Sequence, residues 1–169
     1  MKETYVKQAV EYAKELLAIP SPTGYTAEAT KYLMKTLQDM GYNPIETTKG
    51  AVQVRLGGEG TDGLLLASHV DTLGAMVRAV KSSGRLRVSP IGGLNPSNTE
   101  TETVWVRTHC GKLYEGTLQL ENASVHVNAK LKETVRTWDN VEVVLDEPVK
   151  NAQQVKELGI EAGNFVFVE

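Results

Sequence analysis

The sequence holds a single cysteine, Cys110, in 169 residues. One thiol allows neither an internal disulfide nor a cysteine-rich zinc cluster. A reducing compartment, the cytoplasm, is therefore expected. An excess of one charge is also missing. Lys and Arg number 18 against 21 Asp and Glu, a formal net charge of -3, with both signs interspersed. There is no basic stripe, so nucleic acid is not an expected partner. Long apolar runs are absent too. The longest near the middle, Leu64–Ala67, is far too short to span a bilayer, and no membrane partner is expected. The stretch from Met1 to Tyr5 leads into a charged amphipathic segment without an apolar core or a small-residue cleavage site, so no signal peptide is expected. What remains is ordinary. The chain is 41% apolar and 23% charged, enough to build a core, in one domain or two small ones.

Two regions differ in hydrophobic period. In the first, Val6, Ala9, Val10, Ala13, Leu16 and Leu17 recur at helical spacing and form one apolar face. Pro20 and Pro22 stop that helix, and residues 21–24 read as a loop. Thr26 is the expected N-cap of a second helix, whose buried stripe is Ala29, Leu33, Leu37 and Met40, with Gly41 just past its end. Residues 51–56 alternate as a strand, 57–63 form a turn-rich connection, and 64–68 are a continuous apolar run. Such a run suits a strand buried on both faces of a sheet covered by helices. Helix, helix, strand, strand predicts an α/β layered domain.

The second region, from about Gly74, is strand-rich. Strands are expected at 76–80, at Leu86 and Val88 (broken by Pro90 and Gly92-Gly93), at 103–108, 113–120, at Val125 and Val127, and at 141–145. Turns are expected at 82–84 and 110–112. Many short strands with frequent turns indicate a small barrel or sandwich. A short helix over 151–158, closed by Gly159, precedes a last strand at 165–168. An apolar strand that runs into the final residue predicts a longer natural polypeptide, and the first region has too few strands to cover a sheet by itself.

The most informative segment is 64–71, which ends in Ser68-His69-Val70-Asp71. His69 sits where a buried strand is expected to end, and open α/β sheets bind ligands beyond the carboxyl ends of their strands. His69 and Asp71 are two apart and share a side of an extended chain. A metal-binding His needs its second ring nitrogen held, often by a carboxylate. A bound metal polarises a carbonyl and activates water. The same spacing also suits a His bonded to an Asp for structural reasons alone. His109, Cys110 and His126 form an alternative metal set. It is disfavoured because adjacent residues of a strand face opposite ways. Cys110 lacks a basic pair to activate it. Residues 57–60 are glycine-rich but lack the Lys-Ser/Thr ending of a phosphate loop. Glu100 and Glu102 read as a solvated loop, and Glu11 and Glu15 as an exposed helix face near Lys7 and Lys14. No pair of facing carboxylates suggests a sugar hydrolase.

Four stretches in order resemble the glutamyl aminopeptidase and tetrahedral aminopeptidase family of dinuclear metallopeptidases, some members of which were once labelled endoglucanase M. They are Ile19-Pro20-Ser21-Pro22-Thr23-Gly24, Ala67-Ser68-His69-Val70-Asp71-Thr72-Leu73-Gly74, Ile91-Gly92-Gly93 and Leu158-Gly159-Ile160-Glu161-Ala162-Gly163-Asn164. Thr72 and Asn164 stand where the family commonly has acidic residues.

The resemblance implies a partial zinc-exopeptidase α/β domain over 1–73 and an inserted β-barrel assembly domain over 74–160. Residues 161–169 would then be a return strand to the catalytic domain. It implies that His69 is a metal ligand and that Asp71 orients it. It implies zinc or cobalt, two ions per complete site, and removal of N-terminal residues from peptides. It also implies homo-oligomers, from dimer to dodecamer, built through the β domain. The family's later ligands and general base lie beyond residue 169, so this chain alone is expected to be inactive. The alternative is a non-catalytic barrel module for assembly or interaction with a remnant α/β segment.

Overall fold

The computed structural model describes residues 2–60 and 62–168; Thr61, inside the expected 57–63 connection, lies outside the described residues, as do Met1 and Glu169. The chain divides into two compact units, residues 1–72 and 73–169. Among the described residues no helix is long and apolar enough to cross a membrane.

The first unit begins with two helices, α1 (Lys2–Leu17) and α2 (Ala27–Asp39). Neither helix contains Pro or Gly, and α1 closes before Pro20 as expected. Thr26 is the N-cap of α2, but its hydroxyl makes no capping bond because its backbone is already helical. Gly41 has φ +86°, the left-handed region that favours glycine after a helix. A two-residue ladder follows, β1 (Ile45–Glu46) against β2 (Val52–Gln53). The loop between them is tied to α2, where the Thr30 hydroxyl donates to Gly50 O at 3.2 Å.

Three expectations for this unit are corrected. The apolar face of α1 is not buried: Val6, Val10 and Leu17 are exposed, and only Leu16 is half-covered. In α2, Ala29 is buried and Leu33 and Leu37 partly so, but Met40 is exposed. Residues 64–68 form no strand. They enter no ladder among the described residues, and Leu64, Leu65 and Leu66 are 88%, 86% and 74% exposed. The reason is common to all three. An apolar stripe or run is buried only against another layer, and a ladder two residues long covers almost nothing.

The second unit is a closed antiparallel barrel of six strands in the order β3-β4-β7-β6-β5-β8. These are β3 (Gly74–Val80), β4 (Leu86–Ile91), β5 (Thr103–Arg107), β6 (Leu113–Leu120), β7 (Val141–Leu145) and β8 (Phe165–Val168). Two short helices, α3 (Pro96–Thr99) and α4 (Ala152–Glu157), sit in the connections. Strand alternation fills the interior. Val104 and Val106, Leu118 and Leu120, and Val141, Val143 and Leu145 point inward and are buried. Each such side chain contributes roughly 1.5–3 kcal/mol when fully removed from water. Closure gives every strand of the barrel a partner on each side, although β4 meets β7 only at Leu86 and Arg87.

Outside the barrel, Glu142 lies between these inward residues yet is only 2% exposed. Lys81 and Arg85 cover it, each at 2.7 Å from one carboxylate oxygen. Lys81 also pairs with Glu121. Trp138 ties the 121–140 connection to the barrel by donating to Leu94 O at 3.1 Å. The Asn151 side chain caps α4 by accepting from Gln154 N at 3.0 Å.

Four details differ from the sequence reading. Pro90 does not break β4. That strand pairs with β7 only at Leu86 and Arg87, so opposite Ala75 the missing N–H of Pro90 interrupts no second ladder. Val125 and Val127 are exposed in a run of turns rather than a strand. Glu100 is not solvated in a loop but pairs with Arg136 at 2.6 Å, both side chains about one-fifth exposed. The stretch 161–169, expected to return to the α/β domain, instead supplies β8. That strand closes the barrel between β3 and β5, with Phe167 opposite Gly74 on one side and Trp105 on the other.

Candidate functional site

The site is assembled by the loop after α1. Ser21 is buried, and its hydroxyl donates to Val70 O at 2.9 Å, while its carbonyl accepts from Thr72 N at 2.8 Å. Pro22 and Thr72 form an isolated parallel bridge. Residues 70–72 are thus held beside residues 21–22, while among the described residues 63–69 enter no such bridge. In this frame the Thr23 hydroxyl donates to Asp71 Oδ2 at 2.6 Å.

The other carboxylate oxygen meets His69. Nδ1 of His69 lies 3.0 Å from Asp71 Oδ1 and 3.1 Å from Asp71 O. Both neighbours are acceptors, so Nδ1 carries the proton and donates. In the neutral ring the lone pair is then on Nε2. The His69 side chain is 83% exposed and that of Asp71 36%, so the ring is anchored at one nitrogen and open at the other. Asp71 is held below the usual carboxylate range, first by the Thr23 hydrogen bond and then by that of His69. It stays ionised and keeps accepting. A groove of about 470 Å³ lies beside the ring, lined by Leu16, Leu33, Leu37, Val52, Leu66 and His69 among others.

A neutral imidazole with Nδ1–H on a carboxylate and Nε2 free is the donor arrangement that metal-binding histidines use. The residues present therefore fit one ligand position. A catalytic zinc normally needs three protein ligands. Among the described residues no group of three or more His, Cys, Asp or Glu is placed to hold a metal.

His109, Cys110 and His126 belong to the second unit. His109 and Cys110 lie in the turn between β5 and β6, not on a strand, so the opposite-faces reason for separating them does not apply. His109 Nε2 is 3.7 Å from Glu161 Oε1, with both side chains about two-thirds exposed. The Cys110 thiol is drawn below its ordinary value chiefly by its hydrogen bond with Thr108 at 3.2 Å. His126 is exposed in the turns after β6. Residues 57–60 remain a loop, braced by Arg55 donating to Gly58 O.

Sequence reasoning missed Thr23 and Ser21 as parts of the site. Two hydroxyls flanking Pro22 in the loop after α1 were the available signal. Nothing in the sequence said that this loop returns to the Asp71 carboxylate.

The comparisons with known proteins agree in direction. YhfE of Bacillus subtilis (strain 168), which carries an aminopeptidase name, is 40% identical over 164 residues, 96% of this chain and 47% of its own length. The glutamyl aminopeptidase of Lactococcus lactis subsp. cremoris is 25% identical over 92% of this chain and 44% of its own. Among solved structures, aminopeptidase APDkam598 of the archaeon Desulfurococcus kamchatkensis shares the fold at TM-score 0.82. Its identity is 23%, covering 98% of this chain and 44% of that one. A second fold neighbour, at TM-score 0.76 and 22% identity, is the Pyrococcus horikoshii TET1 peptidase. That match covers 95% of this chain and 46% of that one, and the protein can assemble into a tetrahedron or a large octahedral shell. The chain spans about half the length of the relatives it matches. Residues 50–169 match the M42 glutamyl aminopeptidase family, and the chain belongs to that family.

Proposed function

We propose that these residues are the N-terminal part of a metal-dependent aminopeptidase, in which His69 is a metal ligand and Asp71 its positioning residue. The observation that carries this reading is the His69 ring, donating from Nδ1 to Asp71 and leaving Nε2 open to solvent. Asp71 fixes the ring's tautomer and makes Nε2 a better donor. Thr23 and Ser21 keep the carboxylate and its backbone in place. The metal, when bound, supplies Lewis acidity toward a peptide carbonyl and an activated water. Imidazole suits zinc and cobalt alike, and the family reading calls for two ions per complete site. Peptides with a free N-terminus are the substrates proposed, and the cytoplasm the compartment. The fold neighbour that assembles into closed shells supports self-association through the barrel unit. The domain division proposed is an α/β part ending near residue 73 and a barrel inserted after it.

Because one ligand does not make a catalytic site, the 169-residue chain alone is expected to leave peptides intact. The test is co-expression with the part of YhfE that the match does not cover, followed by metal analysis and an assay for released N-terminal residues. Wild type should carry metal and hydrolyse peptides, and His69→Ala should lose metal and at least about a hundredfold in activity. Equal metal content and activity in His69→Ala would refute the proposal and favour a non-catalytic barrel module with a remnant α/β segment.

A further inference from the structure

The barrel has one short seam. β4 meets β7 at two residue pairs only, Leu86–Val143 and Arg87–Glu142, whereas each of the other ladders holds three or more among the described residues. Charge is sorted across this seam. The β3–β4 hairpin, residues 74–91, carries Arg78, Lys81, Arg85 and Arg87 and no Asp or Glu. The carboxylates that meet these cations come from the far side: Glu121 just after β6, Asp139 just before β7 and Glu142 within it.

The pairs interlock. Lys81 and Arg85 each lie 2.7 Å from one oxygen of Glu142, whose side chain is 3% exposed. Arg87, opposite Glu142 in the ladder, lies 3.6 Å from Glu121 Oε2 and donates to Asp139 O. Lys81 also donates to Glu121, and Arg85 to Glu121 O at 3.4 Å. Arg78 donates to Asp139 Oδ1 at 2.7 Å and to Trp138 O at 2.9 Å. On β6 the residue opposite Glu142 is Gln119, which is uncharged. An exposed ion pair shifts an equilibrium only a few-fold. A ladder of two residue pairs contributes little itself, however, so several ion pairs around a nearly buried Glu142 decide whether it stays shut. The same pairs hold Glu121 and Asp139 below the ordinary carboxylate range, the first chiefly through Lys81 and the second chiefly through Arg78.

We propose that this cluster is a charge-operated latch: it keeps the barrel closed while its carboxylates are ionised and lets β4 part from β7 when they are neutral. Opening leaves the other five ladders in place, as a sheet in the order β4-β3-β8-β5-β6-β7. It also releases the side chains of Glu121 and Asp139 at the two ends of the 121–140 connection. The direction follows from the depressed carboxylates. Their contribution is complete above the ordinary carboxylate range and is lost as the pH falls through their folded values. Neither a metal nor peptidase activity enters.

Native-state hydrogen exchange of the 169-residue chain, followed by NMR across low urea concentrations, tests it. At neutral pH, those amides of Leu86, Arg87, Glu142 and Val143 that point across the seam should exchange faster than amides of the β5–β6 and β5–β8 ladders. Their exchange should depend little on urea, because parting two strands exposes little surface. Glu121→Gln combined with Glu142→Gln should speed the seam amides about tenfold further, and the difference from wild type should vanish as the pH falls well below 4.5. Should the double variant fail to fold, wild type alone carries the test: seam exchange, corrected for the intrinsic pH dependence of amide chemistry, should accelerate over the same acid range. Seam amides that share the urea slope of the β5–β6 ladder would overturn the proposal, since the seam then opens only with the whole barrel. Seam exchange unchanged by the double variant, or not accelerated in acid, would overturn it as well, since the charges then do not hold it.

Discussion

Gly116 should be the most sensitive small position in the barrel. It lies in β6 opposite Val104 of β5 and Leu145 of β7. A Cβ placed there would sit 2.6 Å from Val144 O, 3.1 Å from a Val143 methyl and 3.2 Å from Leu145 Cα. An ordinary carbon–oxygen contact is about 3.3–3.6 Å, so β6 and β7 would have to separate by roughly 0.7–1 Å. Overpacking of this kind costs about 1–3 kcal/mol. Stretched ladder bonds on the same strands add about 1 kcal/mol. The backbone of Gly116 is not left-handed, so alanine brings no handedness strain and recovers about 0.4–1 kcal/mol by restricting the unfolded chain. The net expectation for Gly116→Ala is a loss of about 1–3.5 kcal/mol. For a barrel of this size that lowers the melting temperature by roughly 5–25 °C. Circular dichroism during heating and urea titration measures it. Gly93→Ala is the control, since a Cβ there meets nothing within 4 Å; it should shift stability by less than about 0.5 kcal/mol. A Gly116→Ala variant as stable as the control would refute the close-approach argument.

Two further predictions follow from the charged groups. Thr23→Val removes the hydroxyl that most strongly lowers the Asp71 pKa. A carboxylate with a depressed folded pKa stabilises above its unfolded value and loses that contribution as pH falls through the folded one. The Asp71 titration, followed by carboxyl carbon NMR, should therefore move up toward 3.8, and an unchanged curve would show that the 2.6 Å bond does not form in solution. Lys81→Met strips one partner from Glu142, which is 3% exposed at its side chain, and should cost about 2 kcal/mol at neutral pH. Lys81 is also the main cause of the depressed Glu121 pKa, so the gap from wild type should narrow as the pH falls below 4.5 and Glu121 protonates; a gap independent of pH would contradict this.

The barrel was legible in the sequence because its strands bury one face each. Val104 and Val106 alternate with half-exposed neighbours, and Cys110-Gly111-Lys112 marks the hairpin between β5 and β6. Closure by β8 was not legible. An apolar run such as Phe165–Val168 reads the same whether it pairs inside a barrel or in a neighbouring sheet, and only register decides. The 125–127 segment misled for a related reason. Two β-branched residues at alternate positions satisfy the pattern, yet among the described residues no strand pairs with them. Leu64–Leu66 misled in the opposite sense. Their composition describes a fully buried strand, but burial belongs to the partner layers and not to the segment. At the site, the His69–Asp71 spacing could be read as a shared side of extended chain. The hydroxyls of Thr23 and Ser21 could not, because they come from 46 or more residues away in the chain and arrive through the Pro22–Thr72 bridge.

The central claim concerns the state of one ring. Long-range proton–nitrogen NMR correlation of His69, at a pH where the ring is neutral, reports which nitrogen bears hydrogen. The account predicts Nδ1–H, donated to Asp71 at 3.0 Å, with Nε2 unprotonated and able to accept a metal. A ring protonated at Nε2, with Nδ1 bare, would contradict it.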